Sequence, residues 1–246
     1  MKRGWDALKI QRIIFLVAAV LLLGSVVASE TAISVDSQVE IPAGEEYIAL
    51  TFDDGPKADT TARLLDGLRD RGAKATFFLV GKQIEPNAAL VKRMKAEGHQ
   101  IGNHTWDHLK LQGASSQAVL EEVSKTDAEL CSLLGDDEYW VRPPFGQIDQ
   151  CQEALFTVPL VKWSVDPWDW KLRNTDKDVA AVLKQVKSGD IILMHDTVPE
   201  SVDAALKIID VLQEKGYVFV TVKELLEKNK VTPQPCIMYY SDKRHS

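Results

Sequence analysis

Two neighbouring carboxylates, Asp53 and Asp54, end an apolar run in the stretch TFDDGPKAD, and Gly55 and Pro56 follow at once. Like charges side by side repel, and each needs water, a donor or a cation. Asp, Gly and Pro also build ordinary surface turns, so the stretch in isolation reads as a turn. Histidine placement changes that reading. The chain has five histidines. His104 and His108 are four apart in HTWDH, which on a helical turn would put both on one side, where they could share one ion. His195 ends another apolar run, IILMHD. Two imidazoles and one carboxylate are the usual three-ligand set of a catalytic zinc, with the fourth position left for water. One aspartate of the pair can then ligate the cation while its neighbour serves as base, and the residues alone do not say which takes which role.

The elements that must position these groups alternate strictly. Short apolar runs predict strands at Tyr47–Phe52, Ala75–Val80, His99–Asn103, Tyr139–Val141, Leu160–Val165, Asp190–Met194 and Tyr217–Thr221. Amphipathic patterns between them predict helices at Thr60–Arg71, Asn87–Glu97, Ser115–Leu134, Thr175–Lys187, Ser201–Lys215 and Val222–Lys228. Several open on Ser, Thr or Asn and close on a glycine, the expected start and stop asymmetry. Strand and helix in alternation imply parallel pairing and right-handed crossovers, hence a parallel barrel or a doubly wound sheet. In both, active sites lie at the carboxyl ends of strands, which is where Asp53, Asp54, His104 and His195 fall.

Five stretches in order, TFDDG (51–55), HTWDH (104–108), RPPFG (142–146), DPWDW (166–170) and LMH (193–195), resemble the motifs of the NodB-type polysaccharide deacetylases, carbohydrate esterase family 4. The resemblance runs from about Tyr47 to Leu226. It implies a distorted (β/α)7 barrel, in agreement with the strand count, and metal-dependent removal of acetyl groups from polysaccharides. Carried over by motif position, it makes Asp54, His104 and His108 the ligands of one divalent ion, zinc above others, and Asp53 the general base. It implies that Arg142 orients Asp53 and keeps it ionised, and that Asp169 holds His195 protonated as the acid for the leaving amine. The backbone N–H of Phe145 would help to stabilise the oxyanion, and Trp170 and Leu193 would enclose the acetyl methyl. Lys171 follows Trp170 where many members carry Arg.

The remaining sequence bounds partners and location. With 29 Lys and Arg against 36 Asp and Glu the net charge is -7, which offers no broad attraction to nucleic acid. A basic start and the uninterrupted apolar run Ile13–Ala28 read as a signal peptide or an N-terminal membrane anchor, with Lys2, Arg3, Lys9 and Arg12 on the cytoplasmic side. Residues 1–28 are thus the export segment, 29–46 a linker, 47–228 the catalytic domain and 229–246 a peripheral tail. The domain is expected outside the cytoplasmic membrane or in the cell envelope, touching membrane only through its N-terminal segment, and acting as a monomer. Cys131 and Cys151 are close enough in sequence to pair in an oxidising compartment, with free thiols as the alternative. The substrate expected is an N-acetylated glycan, peptidoglycan or a chitin-like oligomer. An O-acetyl esterase acting on xylan would share every catalytic residue, and a non-catalytic glycan-binding protein of the same fold would lack at least one of them.

Overall fold

The structure, a computed structural model, describes residues 45–242. The expected export segment, residues 1–28, and nearly all of the linker lie outside the described residues. Strand β1 (Glu46–Asp53) runs through the middle of the sheet and is buried from Ile48 to Asp53. It is followed by α1 (Ala58–Asp70), β2 (Thr76–Leu79), α2 (Ala88–Ala96), β3 (Gln100–Asn103) and α3 (Ser116–Leu134). The second half contains α4 (Gln150–Glu153), β4 (Leu160–Val161), α5 (Asp169–Leu172), α6 (Thr175–Gln185), β5 (Ile191–His195), α7 (Pro199–Glu214), β6 (Tyr217–Val220), α8 (Val222–Lys228) and β7 (Met238–Tyr239).

Every strand pair is parallel, in the order β3-β2-β1-β5, with β6 beside the first half of β1 and β2 beside its second half. Single bridges at Val141, to Asn103 and Leu160, and at Val165, to Ile192, carry the wall round from β3 through β4 and back to β5. This closed parallel wall is the distorted barrel that the family resemblance implies, and of the two folds that the alternation of elements allows it is the barrel and not the doubly wound sheet. Its strands read as continuous apolar runs because both faces are covered. Residues of α1 and α7, among them Leu64, Leu68, Ile208 and Leu212, pack outside β1 and β5 in the largest core cluster. Gly67 permits that approach, since a Cβ there would lie 2.4 Å from Leu206.

Three expectations are corrected. The predicted strand Tyr139–Val141 is reduced to bridges at Val141, because Pro143 and Pro144 cannot continue a ladder. The predicted strand Leu160–Val165 is interrupted after Val161, where the Lys162 carbonyl turns to accept from Arg142 Nη2 at 2.7 Å. The C-terminal tail is not peripheral. β7 pairs with β4, Tyr239 is completely buried, and its carbonyl accepts the Lys162 N–H at 2.7 Å. Of the two readings of Cys131 and Cys151, the structure shows the free thiols, Cys131 packed against the main core and Cys151 exposed.

Tyr239 therefore anchors the stretch that supports Arg142. Tyr239→Ala should destabilise the domain by about 3–5 kcal/mol, as for other large buried aromatics. Denaturant unfolding checks this, and a loss typical of a surface position, below about 0.5 kcal/mol, would mean that the tail carries no core.

Candidate metal centre and active site

The ends of β1, β3 and β5 bring the charged groups together. In register, Thr51 lies beside Leu193 and Asp53 beside His195, so by the two-residue alternation of strands all four occupy the same face. Asp53 is 3% exposed and its Oδ1 accepts from Arg142 Nη1 at 2.7 Å. The same Nη1 reaches Thr51 Oγ1 at 2.7 Å, while the Thr51 hydroxyl donates to the Ile192 carbonyl at 2.7 Å. Arg142 is wholly buried, with its guanidinium 4.1 Å from the Phe78 ring centre. Burial works to lower the Arg142 pKa, and the Asp53 carboxylate opposes it.

Asp54 turns away from its neighbour. Its φ of 71° places it in the left-handed region, which points its side chain toward the histidines. Its Oδ1 lies 3.5 Å from His104 Nε2 and 3.2 Å from His108 Nε2, yet has no partner in good hydrogen-bond geometry. Asp54, His104 and His108 are the one group of metal-capable side chains among the described residues whose ligand atoms all lie within 4.8 Å of one another. His104 Nδ1 stands 2.7 Å from the Arg142 carbonyl. A carbonyl only accepts, so Nδ1 carries the proton and the Nε2 lone pair faces the site, the orientation a metal ligand requires. A nitrogen, nitrogen and oxygen donor set with an orphaned carboxylate oxygen at its centre fits a divalent cation such as zinc. Burial works to raise the Asp54 pKa, but the contact with His104 and the charges of His104, His195 and His108 outweigh it and hold the carboxyl at about 2.

His104 and His108 do not share a helical turn. The segment between them is an irregular loop in which Thr105 and His108 take φ values of 65° and 58°. Side chains pin it: Asn103 Oδ1 accepts from the Thr105 N–H at 2.8 Å, and Glu122 Oε2 accepts from the Trp106 and Asp107 N–H groups at 3.0 and 2.9 Å. The two rings still meet, with centres 4.9 Å apart.

His195 faces this group from the other side, its Nε2 4.0 Å from Asp54 Oδ2. Asp169 is fully buried and accepts twice from His195, at 2.9 Å from Nδ1 and 2.8 Å from the backbone N–H. Burial works to lower the His195 pKa, but the hydrogen bond and charge of Asp169, with the charges of Asp53 and Asp54, raise it to about 9. Phe145, with φ 61°, sets its half-exposed ring edge-on to His108 at 4.7 Å. Trp170 is exposed beside Asp169, whereas Leu193 is buried in β5, one pleat below His195.

Several supporting residues carry no spacing signal. Thr51 stands inside a motif but reads as an ordinary strand residue, and Glu122 sits on a helix face 14 positions after His108. Asp196 is fully buried, accepts from the Thr61 hydroxyl, and has a carboxyl that burial pushes up to about 7. It also explains Gly55, where a Cβ would lie 2.3 Å from Asp196 Oδ1.

The signature of the polysaccharide deacetylases matches residues 40–154. A peptidoglycan-N-acetylglucosamine deacetylase of Bacillus cereus is 39% identical over 201 residues, covering 76% of this chain and 91% of the relative. The peptidoglycan-N-acetylglucosamine deacetylase PgdA of Listeria monocytogenes is 39% identical over 213 residues, 84% of this chain but 44% of the longer relative. The chain thus spans less than half of that protein. Among solved structures, that of T48 deacetylase with substrate superposes with a TM-score of 0.76 at 38% identity, covering 79% of this chain and 96% of the other. The ordered motifs, the closed parallel wall and these likenesses agree, and the chain belongs to the NodB-type polysaccharide deacetylase family, carbohydrate esterase family 4.

Proposed function

We propose that the chain is a metal-dependent deacetylase that hydrolyses acetyl groups of an N-acetylated glycan, with peptidoglycan as the substrate class its relatives favour. The observation that carries this is the facing arrangement of an Asp54, His104 and His108 cluster and a His195 Nε2 only 4.0 Å from Asp54, with Asp53 held separately by Arg142. Asp54, His104 and His108 would hold the cation, which supplies Lewis acidity toward the acetyl carbonyl and toward water.

Asp53, directed by Arg142 and Thr51, takes a proton from the attacking water as its oxygen bonds to the carbonyl carbon. The developing oxyanion takes a hydrogen bond from the Phe145 N–H. His195, oriented and charged by Asp169, gives its proton to the amide nitrogen as the C–N bond breaks. The products are acetate and a free amine on the sugar. Trp170 borders the acetyl methyl and Leu193 lies beneath it. The N-terminal basic and apolar segment supports export, with the domain either released or tethered at the membrane. Among the described residues no helix is long and apolar enough to cross a membrane.

Acetate release across peptidoglycan, chitooligosaccharides and acetylxylan, with metal content measured in parallel, tests the reading. A chelator should abolish release and zinc restore it. Asp53→Asn should retain the metal yet lose roughly 10²–10⁴-fold in turnover, whereas His104→Ala should lose the metal itself. Full activity in metal-free protein, or release from acetylxylan alone, would overturn it.

The His195–Asp169 pair also makes stability pH-dependent. The His195 pKa rises from 6.5 to about 9 on folding, so its contribution is complete below 6.5 and is lost as pH climbs through about 9. Unfolding of metal-free protein should show that fall, at most roughly 3 kcal/mol, and Asp169→Asn should flatten it. Parallel profiles for parent and variant would refute the coupling.

A further inference from the structure

Asp196 is fully buried directly after His195, and the chemistry described above makes no use of it. A buried carboxyl is costly where an apolar side chain would pack freely. One of its oxygens, Oδ2, accepts from the Thr61 hydroxyl on α1, and Oδ1 has no hydrogen-bond donor. Both oxygens press instead on the backbone of Gly55, where a Cβ would lie 2.3 Å from Oδ1 and 2.4 Å from Oδ2.

The pairing of β1 with β5 creates the need for such a clamp. Asp53 stands beside His195 in register, with both side chains on the face of the site. By the two-residue alternation of strands, the next residue of each strand would turn its side chain to the outer face. Asp196 does so and meets Thr61 of α1. Asp54 in an extended strand would do the same, away from the histidines and toward a second carboxyl. Its left-handed φ of 71° returns it to the face of His104 and His108. That conformation is sparsely populated and persists only where the surroundings enforce it.

Here the surroundings converge on Asp196. The Gly55 carbonyl accepts from the Val80 N–H at 3.1 Å, just past the end of β2. The Thr61 hydroxyl has one proton, which goes to Asp196, and it accepts the Lys57 N–H at 2.8 Å. The Thr61 N–H donates to the Lys57 carbonyl at 2.9 Å. Lys57 Nζ reaches the carbonyl of Thr197, the residue after Asp196, at 3.1 Å. The turn after Asp54 is thus fixed on one side by the end of β2 and on the other by the Asp196 carboxyl, directly and through Thr61.

We propose that Asp196 is a positioning residue of the metal centre: through Gly55 and Thr61 it holds Asp54 in the conformation that lets its carboxylate share a cation with His104 and His108. The inference rests on the metal-centre reading of that cluster. Such a hold uses the shape and one acceptor oxygen of the side chain, not its charge, which separates it from a long-range electrostatic effect on the cation.

The test compares Asp196→Ala with Asp196→Asn, which keeps the shape and an oxygen to accept from Thr61, and with Thr61→Val, which removes only the hydroxyl. Zinc affinity, measured by competition with a chromophoric chelator, should weaken by roughly 10–100-fold in Asp196→Ala and Thr61→Val and be largely restored in Asp196→Asn. Parent-like affinity in Asp196→Ala or Thr61→Val, or an Asp196→Asn as weak as Asp196→Ala, overturns the proposal. A parent that binds no zinc would instead sink the metal-centre reading. Amide hydrogen exchange in the metal-free protein decides the hold separately, and Thr61→Val serves for it where Asp196→Ala fails to fold. The Val80 and Lys57 N–H groups should exchange roughly tenfold faster than in the parent while the ladder amides of β2 and β3 keep their protection. Unchanged exchange at Val80 and Lys57, or equal acceleration of every amide, overturns it.

Discussion

One buried ion pair, Arg142 with Asp53, organises the site. Arg142 has no contact with solvent, and Asp53 has almost none. Burying either charge alone would be prohibitive, so each is the condition for the other. The arginine then spends its remaining groups on alignment. Its guanidinium holds Thr51 and the Lys162 carbonyl, its backbone N–H donates to Asn103, and its carbonyl fixes the proton on His104. A single residue thereby joins β1, β3 and the break after β4, and sets the orientation of both the candidate base and a candidate ligand. The two adjacent carboxylates of TFDDG are separated by environment: Asp53 satisfied by a guanidinium, Asp54 aimed at imidazoles.

The second constraint is backbone strain, most of it gathered at the rim. Asp54, Thr105, His108, Phe145 and Trp168 all adopt positive φ without being glycine. Each of them carries, adjoins or shields a group of the site. The regular barrel beneath supplies the rigidity that such conformations need, through apolar strands covered by α1, α7 and α8. Hydrogen bonds from Asn103, Glu122 and Asp166 hold the individual loops.

Much of this was legible in the residues. Six of the seven predicted strands and all six predicted helices correspond to observed elements, because apolar runs and glycine stops are local signals. That one carboxylate of TFDDG could share an ion with His104 and His108 was legible as well, since ligand chemistry limits which side chains can do so, but the choice of Asp54 over Asp53 came only from the family resemblance. The path between the histidines was not: a spacing of four suits a helical turn, but Thr105 and His108 in the left-handed region give an irregular loop with the same reach. Nor could spacing reveal β7, whose two residues become a strand only when β4 offers an edge, or Glu122, which acts through backbone N–H groups that any sequence would present. These depend on tertiary pairing, and no local pattern encodes it.

The most direct test of the pair at the centre is a double-mutant cycle on Arg142 and Asp53 in the metal-free protein, read by denaturant unfolding. Arg142→Met alone should cost about 3–5 kcal/mol, because it strands a buried carboxylate. Adding Asp53→Asn should then recover a substantial part of that loss, giving a coupling of about 1–3 kcal/mol. Strictly additive effects would contradict the account, for they would mean that Asp53 and Arg142 do not depend on one another.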